Sequence, residues 1–166
     1  MKYLPFDSIT YRTKLKEEEV KKRLADNIAL VNFLGFRISD ADYAKPYKGT
    51  IEGNSFTIRR RIQYRNSFVP RIHGVIESDF VETVIRVKMR LSIYVMIFMT
   101  FWCSVVAIAA LGVSIVGFAK HSFDPVAFIP WGMLLAAYLM TILGFNREKK
   151  IAKADWQRIF EAEIVN

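Results

Sequence analysis

Three rhythms of hydrophobic and polar residues follow one another along the chain. The first has a period of two. From Ser55 onward, Phe56, Ile58, Arg60, Ile62 and Tyr64 share one side, while Thr57, Arg59, Arg61, Gln63 and Arg65 share the other. Side chains of a strand point alternately to its two faces, so Ser55–Tyr64 is predicted as a strand. Tyr47–Glu52 precedes it across Gly53–Asn54, two residues that tolerate the positive φ of a tight hairpin. Beyond the turn Arg65–Pro70, the alternation resumes in Arg71–Glu77 and Glu82–Arg90. Ile72, Gly74 and Ile76, then Thr83, Ile85, Val87 and Met89, form the less polar side. Phe6–Leu15 alternates more loosely, with Phe6, Ile9, Tyr11, Thr13 and Leu15 as its inward positions.

The second rhythm has a period near four. Val20, Leu24 and Ile28 recur through Lys16–Ala29, and Glu17–Glu19 crowd the first turn, where negative charge complements the helix dipole. An amphipathic helix lying on the sheet is expected, with Glu17/Lys21 and Glu18/Lys22 as surface pairs. Leu30–Phe36 is apolar but too short for its period to separate strand from helix. Ser39–Pro46 is polar and reads as a loop.

The third rhythm is unbroken hydrophobicity. Leu91–Ala119 holds no Asp, Glu, Lys, Arg or His across 29 residues, and Pro125–Phe145 holds none across 21. About 20 apolar residues in a helix cross the roughly 30 Å hydrocarbon core. Two transmembrane helices joined by Lys120–Asp124 are therefore predicted. Arg147–Ala162 is helical in pattern, with Ile151, Ala154, Ile159 and Ala162 as inward positions, and extends the second span or packs under the sheet. The expected fold is an α+β membrane protein: a two-helix transmembrane hairpin on a small cytosolic domain, an antiparallel β-meander of four or five strands with an N-terminal amphipathic helix. Residues 1–90 form the cytosolic domain with a basic sheet face. Residues 91–145 form the hairpin, and residues 146–166 a cytosolic C-terminal helix that packs with the first domain.

Charge adds an orientation. Residues 1–90 carry 18 Lys and Arg against 11 Asp and Glu, and residues 146–166 carry 5 against 4. Arg86, Lys88 and Arg90 precede the first span, and Arg147, Lys149, Lys150 and Lys153 follow the second. Cytoplasmic flanks of membrane helices are rich in Lys and Arg, so both termini are expected in the cytoplasm of a bacterial cell, with the chain multi-pass in the inner membrane. Met1–Leu15 lacks the apolar core of a cleavable signal peptide.

Catalytic chemistry has little to work with. The two histidines, His73 and His121, fall on a strand and in the external turn. Cys103 is the only cysteine and lies inside the first span, with no C-x-x-C or Cys/His ligand set. Ser55 and Ser67 are turn residues without a nearby base, and Asp40 and Asp42 sit in a polar loop. G-x-S-x-G, H-E-x-x-H and Walker patterns are missing. No enzyme activity, metal or cofactor is expected.

The polar sheet faces are more informative. Arg59, Arg61, Arg65, Arg71, His73, Arg86 and Lys88 line up there against only Glu77 and Glu82. A solvated face usually mixes signs, although basic residues beside a membrane are also ordinary. The guanidinium fork suits phosphate, so these seven are the candidate anion-binding residues. The partner is either lipid headgroups of the inner leaflet or a soluble phosphorylated ligand, nucleotide or acidic protein. No nucleic-acid motif is present. Ala107, Ala110, Ser114 and Gly117, with Gly132 and Ala136, are small residues spaced for close helix packing, within the hairpin or between copies in a homo-oligomer.

The layout resembles small bacterial membrane proteins that fuse a cytosolic sensing domain to a membrane hairpin. Some of these are antiphage effectors that answer nucleotide second messengers, which implies antiviral defence and a hairpin that oligomerises. The function expected from the residues is a non-enzymatic membrane protein whose basic domain binds an anionic ligand or partner, a nucleotide signal or a lipid headgroup. The alternative is a small structural or assembly subunit of a larger membrane complex.

Overall fold

The computed structural model describes residues 4–31, 44–78, 82–120 and 125–165. In chain order these form β1 (Phe6–Thr13), α1 (Glu17–Asn27), β2 (Ile28–Leu30), β3 (Tyr47–Glu52), β4 (Ser55–Arg60), β5 (Arg71–Ser78), β6 (Thr83–Arg90), α2 (Ile93–Ala119), α3 (Ile129–Phe160) and β7 (Glu163–Val165), with a 3₁₀ turn at Pro125–Phe128 before α3. The fold is α+β. The strands make one seven-stranded sheet in the order β2-β3-β4-β5-β6-β1-β7.

The predicted meander is its centre: β3 to β6 pair antiparallel in sequence order. The hairpin loop is Gly53–Asn54, flanked by the Glu52–Ser55 pair. Gly53 takes φ 59°, the left-handed region that glycine enters without steric cost. β1 follows beside β6, antiparallel to it, and pairs on its other side with β7. The two additional strands, β2 and β7, have three residues each. Such short edges carry no measurable period, so the sheet exceeds the expected four or five strands. β4 is also shorter than predicted. It ends at Arg60, and residues 61–70 lead to β5 without regular pairing.

One sheet face is buried. Ile9, Tyr11, Phe56, Ile58, Ile72, Ile76, Ile85, Val87 and Met89 point into it, under α1 and the C-terminal half of α3. Gly74 gives the Phe56 ring its space, because a Cβ on Gly74 would clash with the edge of that ring. Phe6, expected inward, is 46% exposed and faces outward; Asp7, Ile9 and Tyr11 are the inward residues at that end. α1 buries Val20 and Leu24, and Glu17 pairs with Lys21 at 2.6 Å. In place of a Glu18–Lys22 contact, Glu19 pairs with Arg23 at 3.1 Å. Arg23 also reaches Glu161 at 2.8 Å and the Ile159 carbonyl at 3.0 Å, tying α1 to the end of α3.

α3 runs unbroken for 32 residues. It crosses the expected boundary at residues 145–146, so the apolar helix and the basic C-terminal helix are one rod. Its sheet-facing stripe is Phe145, Glu148, Ala152, Trp156 and Phe160. The expected stripe was displaced: Ala154 is exposed, and Ile151 and Ile159 are only half-buried. Trp156 is fully buried and stacks on Phe160 at 5.0 Å and against Tyr47 at 4.8 Å.

α2, and the stretch Pro125–Phe160 that contains α3, are long and apolar enough to cross a membrane. Their large side chains, among them Phe98, Ile108, Ile115, Leu135 and Leu143, are exposed rather than buried in protein. The expectations placed on residues 32–36, 39–43 and 121–124, including Asp40, Asp42 and His121, lie outside the described residues.

Candidate functional site

Strand register arranges the outward side chains in rows across the sheet. Lys48 opposes Arg59, Arg59 opposes Arg71, and Arg71 opposes Arg90. Arg90 in turn opposes Phe6. Four cations on four neighbouring strands thus stand abreast, with an exposed phenylalanine at one end. The next row is Thr50, Thr57, His73, Lys88 and Ser8. Acids enter only further along: Glu52 stands in the third row with Arg86, and Glu77 and Glu163 in the fourth. The outer face is polarised, positive at the end where β6 leads into α2 and mixed at the other.

Like charges directly opposite one another destabilise a sheet. Lys48, Arg59, Arg71 and Arg90 form no ion pair among the described residues. The row therefore holds positive charge that no ion pair among the described residues neutralises.

The structure places the sequence candidates as follows. Arg59 and Arg71 are neighbours in the cationic row, and His73 and Lys88 are neighbours in the second. The His73 ring nitrogen Nδ1 lies 3.0 Å from Thr57 Oγ1. Arg86 pairs with Glu77 at 3.0 Å, at the mixed end. Arg61 and Arg65 lie beyond the end of β4 and are not part of a strand face; Arg61 is half-buried and Arg65 exposed. Lys48 and Arg90 belong to the row although neither was a candidate. The signal for Lys48 was available, since the Gly53–Asn54 turn fixes which residue of β3 faces Arg59.

Behind the row is a polar junction that sequence reasoning missed. Arg60 is on the inward side of β4, where its neighbours Phe56 and Ile58 are buried. Its guanidinium donates to Glu148 of α3 at 3.0 Å and lies 3.9 Å from Asp155. Glu148 has no exposed surface. Its other oxygen accepts from the Tyr64 hydroxyl and from the Asn66 amide at 3.2 Å. Burial and the Glu148 carboxylate both push the Tyr64 phenol up, so it remains a donor. The same segment packs Phe68 against Gly144. An arginine at an inward strand position was the available signal, because a buried guanidinium requires an acid. The acid lay 88 residues away and could not be chosen from sequence.

Between the ends of β3 and β4 and residues 61–66 lies a pocket of about 260 Å³ lined by Lys48, Arg59, Arg60, Arg61, Tyr64 and Asn66. Among the described residues, no three His, Cys, Asp or Glu side chains converge as a metal site would require.

In the apolar parts of the helices, Ala110 is buried on α2 and Ala137 on α3. Ala107, Ser114 and Gly117 are half-buried, whereas Gly132 and Ala136 are exposed. Trp131 Nε1 donates to Ser114 Oγ at 3.3 Å, linking the two helices. No protein-family model, characterised protein or solved structure matches the chain.

Proposed function

We propose that the chain is a non-enzymatic two-pass integral membrane protein, both termini cytoplasmic, whose cationic sheet end docks on anionic lipid headgroups of the leaflet beside it. The observation that carries this reading is the row Lys48–Arg59–Arg71–Arg90, which forms no ion pair among the described residues. Only Leu91 and Ser92 separate Arg90 from the first residue of α2. At about 3.3 Å per extended residue that gap is about 10 Å. The headgroup layer adds roughly 5–7 Å to each side of the hydrocarbon core. Arg90 therefore stands at or just beneath headgroup depth. Its row neighbours continue sideways at about 4.8 Å per strand. Basic residues in such a position gain about 1 kcal/mol each from an anionic leaflet. The exposed apolar surface of α2 and α3 supplies the anchoring half of the proposal.

Alkaline carbonate extraction tests the anchoring: the protein is expected in the membrane pellet, and release into the supernatant overturns it. Docking is tested with the full chain in nanodiscs of zwitterionic lipid, with and without an added anionic lipid. The anionic lipid is expected to raise the melting temperature at low salt, and the double variant Arg71→Glu/Arg90→Glu is expected to lose that gain. An equal gain in the variant, or none in the native chain, refutes docking.

A further inference from the structure

The pocket beside the cationic row has a composition that the row alone does not require. Its lining brings Lys48, Arg59, Arg60 and Arg61 around about 260 Å³. Within this lining Arg60 is paired with Glu148 at 3.0 Å and lies 3.9 Å from Asp155. Lys48 and Arg59 are direct cross-strand neighbours with no ion pair among the described residues. Tyr64 and Asn66, the neutral polar members of the wall, are fixed by donating to Glu148. The wall that remains offers Lys48 and Arg59, each on a strand, around a space the size of a small headgroup.

We infer that this pocket binds a phosphomonoester group. A monoester carries about −1.5 to −2 charge near neutral pH and offers three terminal oxygens. A phosphodiester carries one charge and offers two. Guanidinium forks engage such oxygens in pairs, and a lysine adds a mobile point charge. The inference rests on the membrane-docking reading for its location, but it claims more: selectivity for the monoester, carried by Lys48 and Arg59 rather than by the row at large. A lipid headgroup and a soluble phosphate ester share this chemistry.

The test uses the full chain in nanodiscs and compares phosphatidic acid, a lipid monoester, with phosphatidylglycerol, a lipid diester. A second arm titrates soluble glycerol phosphate into zwitterionic nanodiscs. The monoester lipid is expected to bind tighter by about tenfold, the worth of one charge-assisted contact. Lys48→Ala/Arg59→Ala is expected to erase that preference, while Arg71→Ala/Arg90→Ala weakens both lipids and keeps their ratio. Should the first pair melt early, Lys48→Gln serves as the milder variant and is expected to reduce the ratio. Binding of glycerol phosphate identifies a soluble-ligand site, and its failure to bind beside a lipid preference identifies a headgroup site. Equal binding of the two lipids overturns the pocket and leaves headgroup docking standing. Absence of binding to either overturns both.

Discussion

Replacing Arg60 with leucine should destabilise the protein more than its partly exposed position suggests. The arginine side chain is 23% exposed, but its partner Glu148 is 0% exposed. The variant leaves a buried carboxylate without its cation. Removing one member of a buried ion pair costs about 3–5 kcal/mol. Tyr64 and Asn66 still donate to Glu148, so the lower end applies, about 3 kcal/mol. For a chain of this length 1 kcal/mol moves the melting temperature by about 2–4 °C, which gives a fall of roughly 6–12 °C. Glu148→Gln should be milder, at about 1 kcal/mol. The amide can still accept from Tyr64 and Asn66, and Arg60 keeps water and Asp155. The double variant Arg60→Leu/Glu148→Gln should then cost about 2 kcal/mol, less than the sum of its parts, because a neutral amide needs no cation. Thermal unfolding of the full chain in detergent, followed by near-ultraviolet circular dichroism, reads all three. Additivity within about 0.5 kcal/mol, or an Arg60→Leu variant that melts with the native protein, refutes the buried pair.

Two further outcomes follow from the core. Trp156→Ala removes the largest buried side chain and its stack with Phe160 and Tyr47; a loss of about 3–5 kcal/mol is expected, and a loss below about 1 kcal/mol in the same melt would show that α3 is not held there. Tyr47 is pushed up by burial and then by Asp155, and Tyr11 by burial and then by Asp7. Their neutral forms are favoured by folding, so their contribution is complete below the unfolded phenol value of about 10 and is lost as pH rises above it. Melting temperature should fall above about pH 10, and Tyr47→Phe should flatten that fall.

The parts of this fold legible in the sequence are those whose period exceeds one turn or one alternation. β3 to β6 and the two apolar helices met that condition. The hairpin turn was legible because Gly53–Asn54 carries its own conformational signature. β2 and β7 were not, since three residues hold no pattern. The buried stripe of α3 was misplaced because the true stripe contains Glu148, which a hydrophobic count skips, and Trp156, whose neighbours Asp155 and Gln157 are polar. The basic character of the outer face was visible in alternation alone. Its polarity was not, because a row needs the register of four strands together. Arg61 and Arg65 show the limit of extrapolating alternation: the pattern continues past Arg60, but the pairing stops.

The two apolar helices are joined to the sheet in unlike ways. α2 follows β6 through Leu91 and Ser92, and Ser92 has extended backbone angles, φ −58° and ψ 138°. The first helical hydrogen bond of α2 runs from the Met96 amide to the Ser92 carbonyl at 3.0 Å. α3 enters the domain as continuous helix. At about 1.5 Å per residue, its 32 residues make a rod of about 48 Å. Inside the domain it is held at Glu148 by Arg60, at Lys153 by Asp7 at 2.9 Å, and at Trp156 by ring packing. Turning α3 by a single residue position, 100°, would carry all three contacts off their partners. The sheet and α3 are therefore tied by side-chain contacts along the helix, while α2 meets the sheet through Leu91, itself packed in the core, and Ser92. In the proposed reading the cationic row ends on Arg90, the last residue of β6 before that connection. Headgroup contact with the row would, in that reading, bear on the short Leu91–Ser92 connection between β6 and α2.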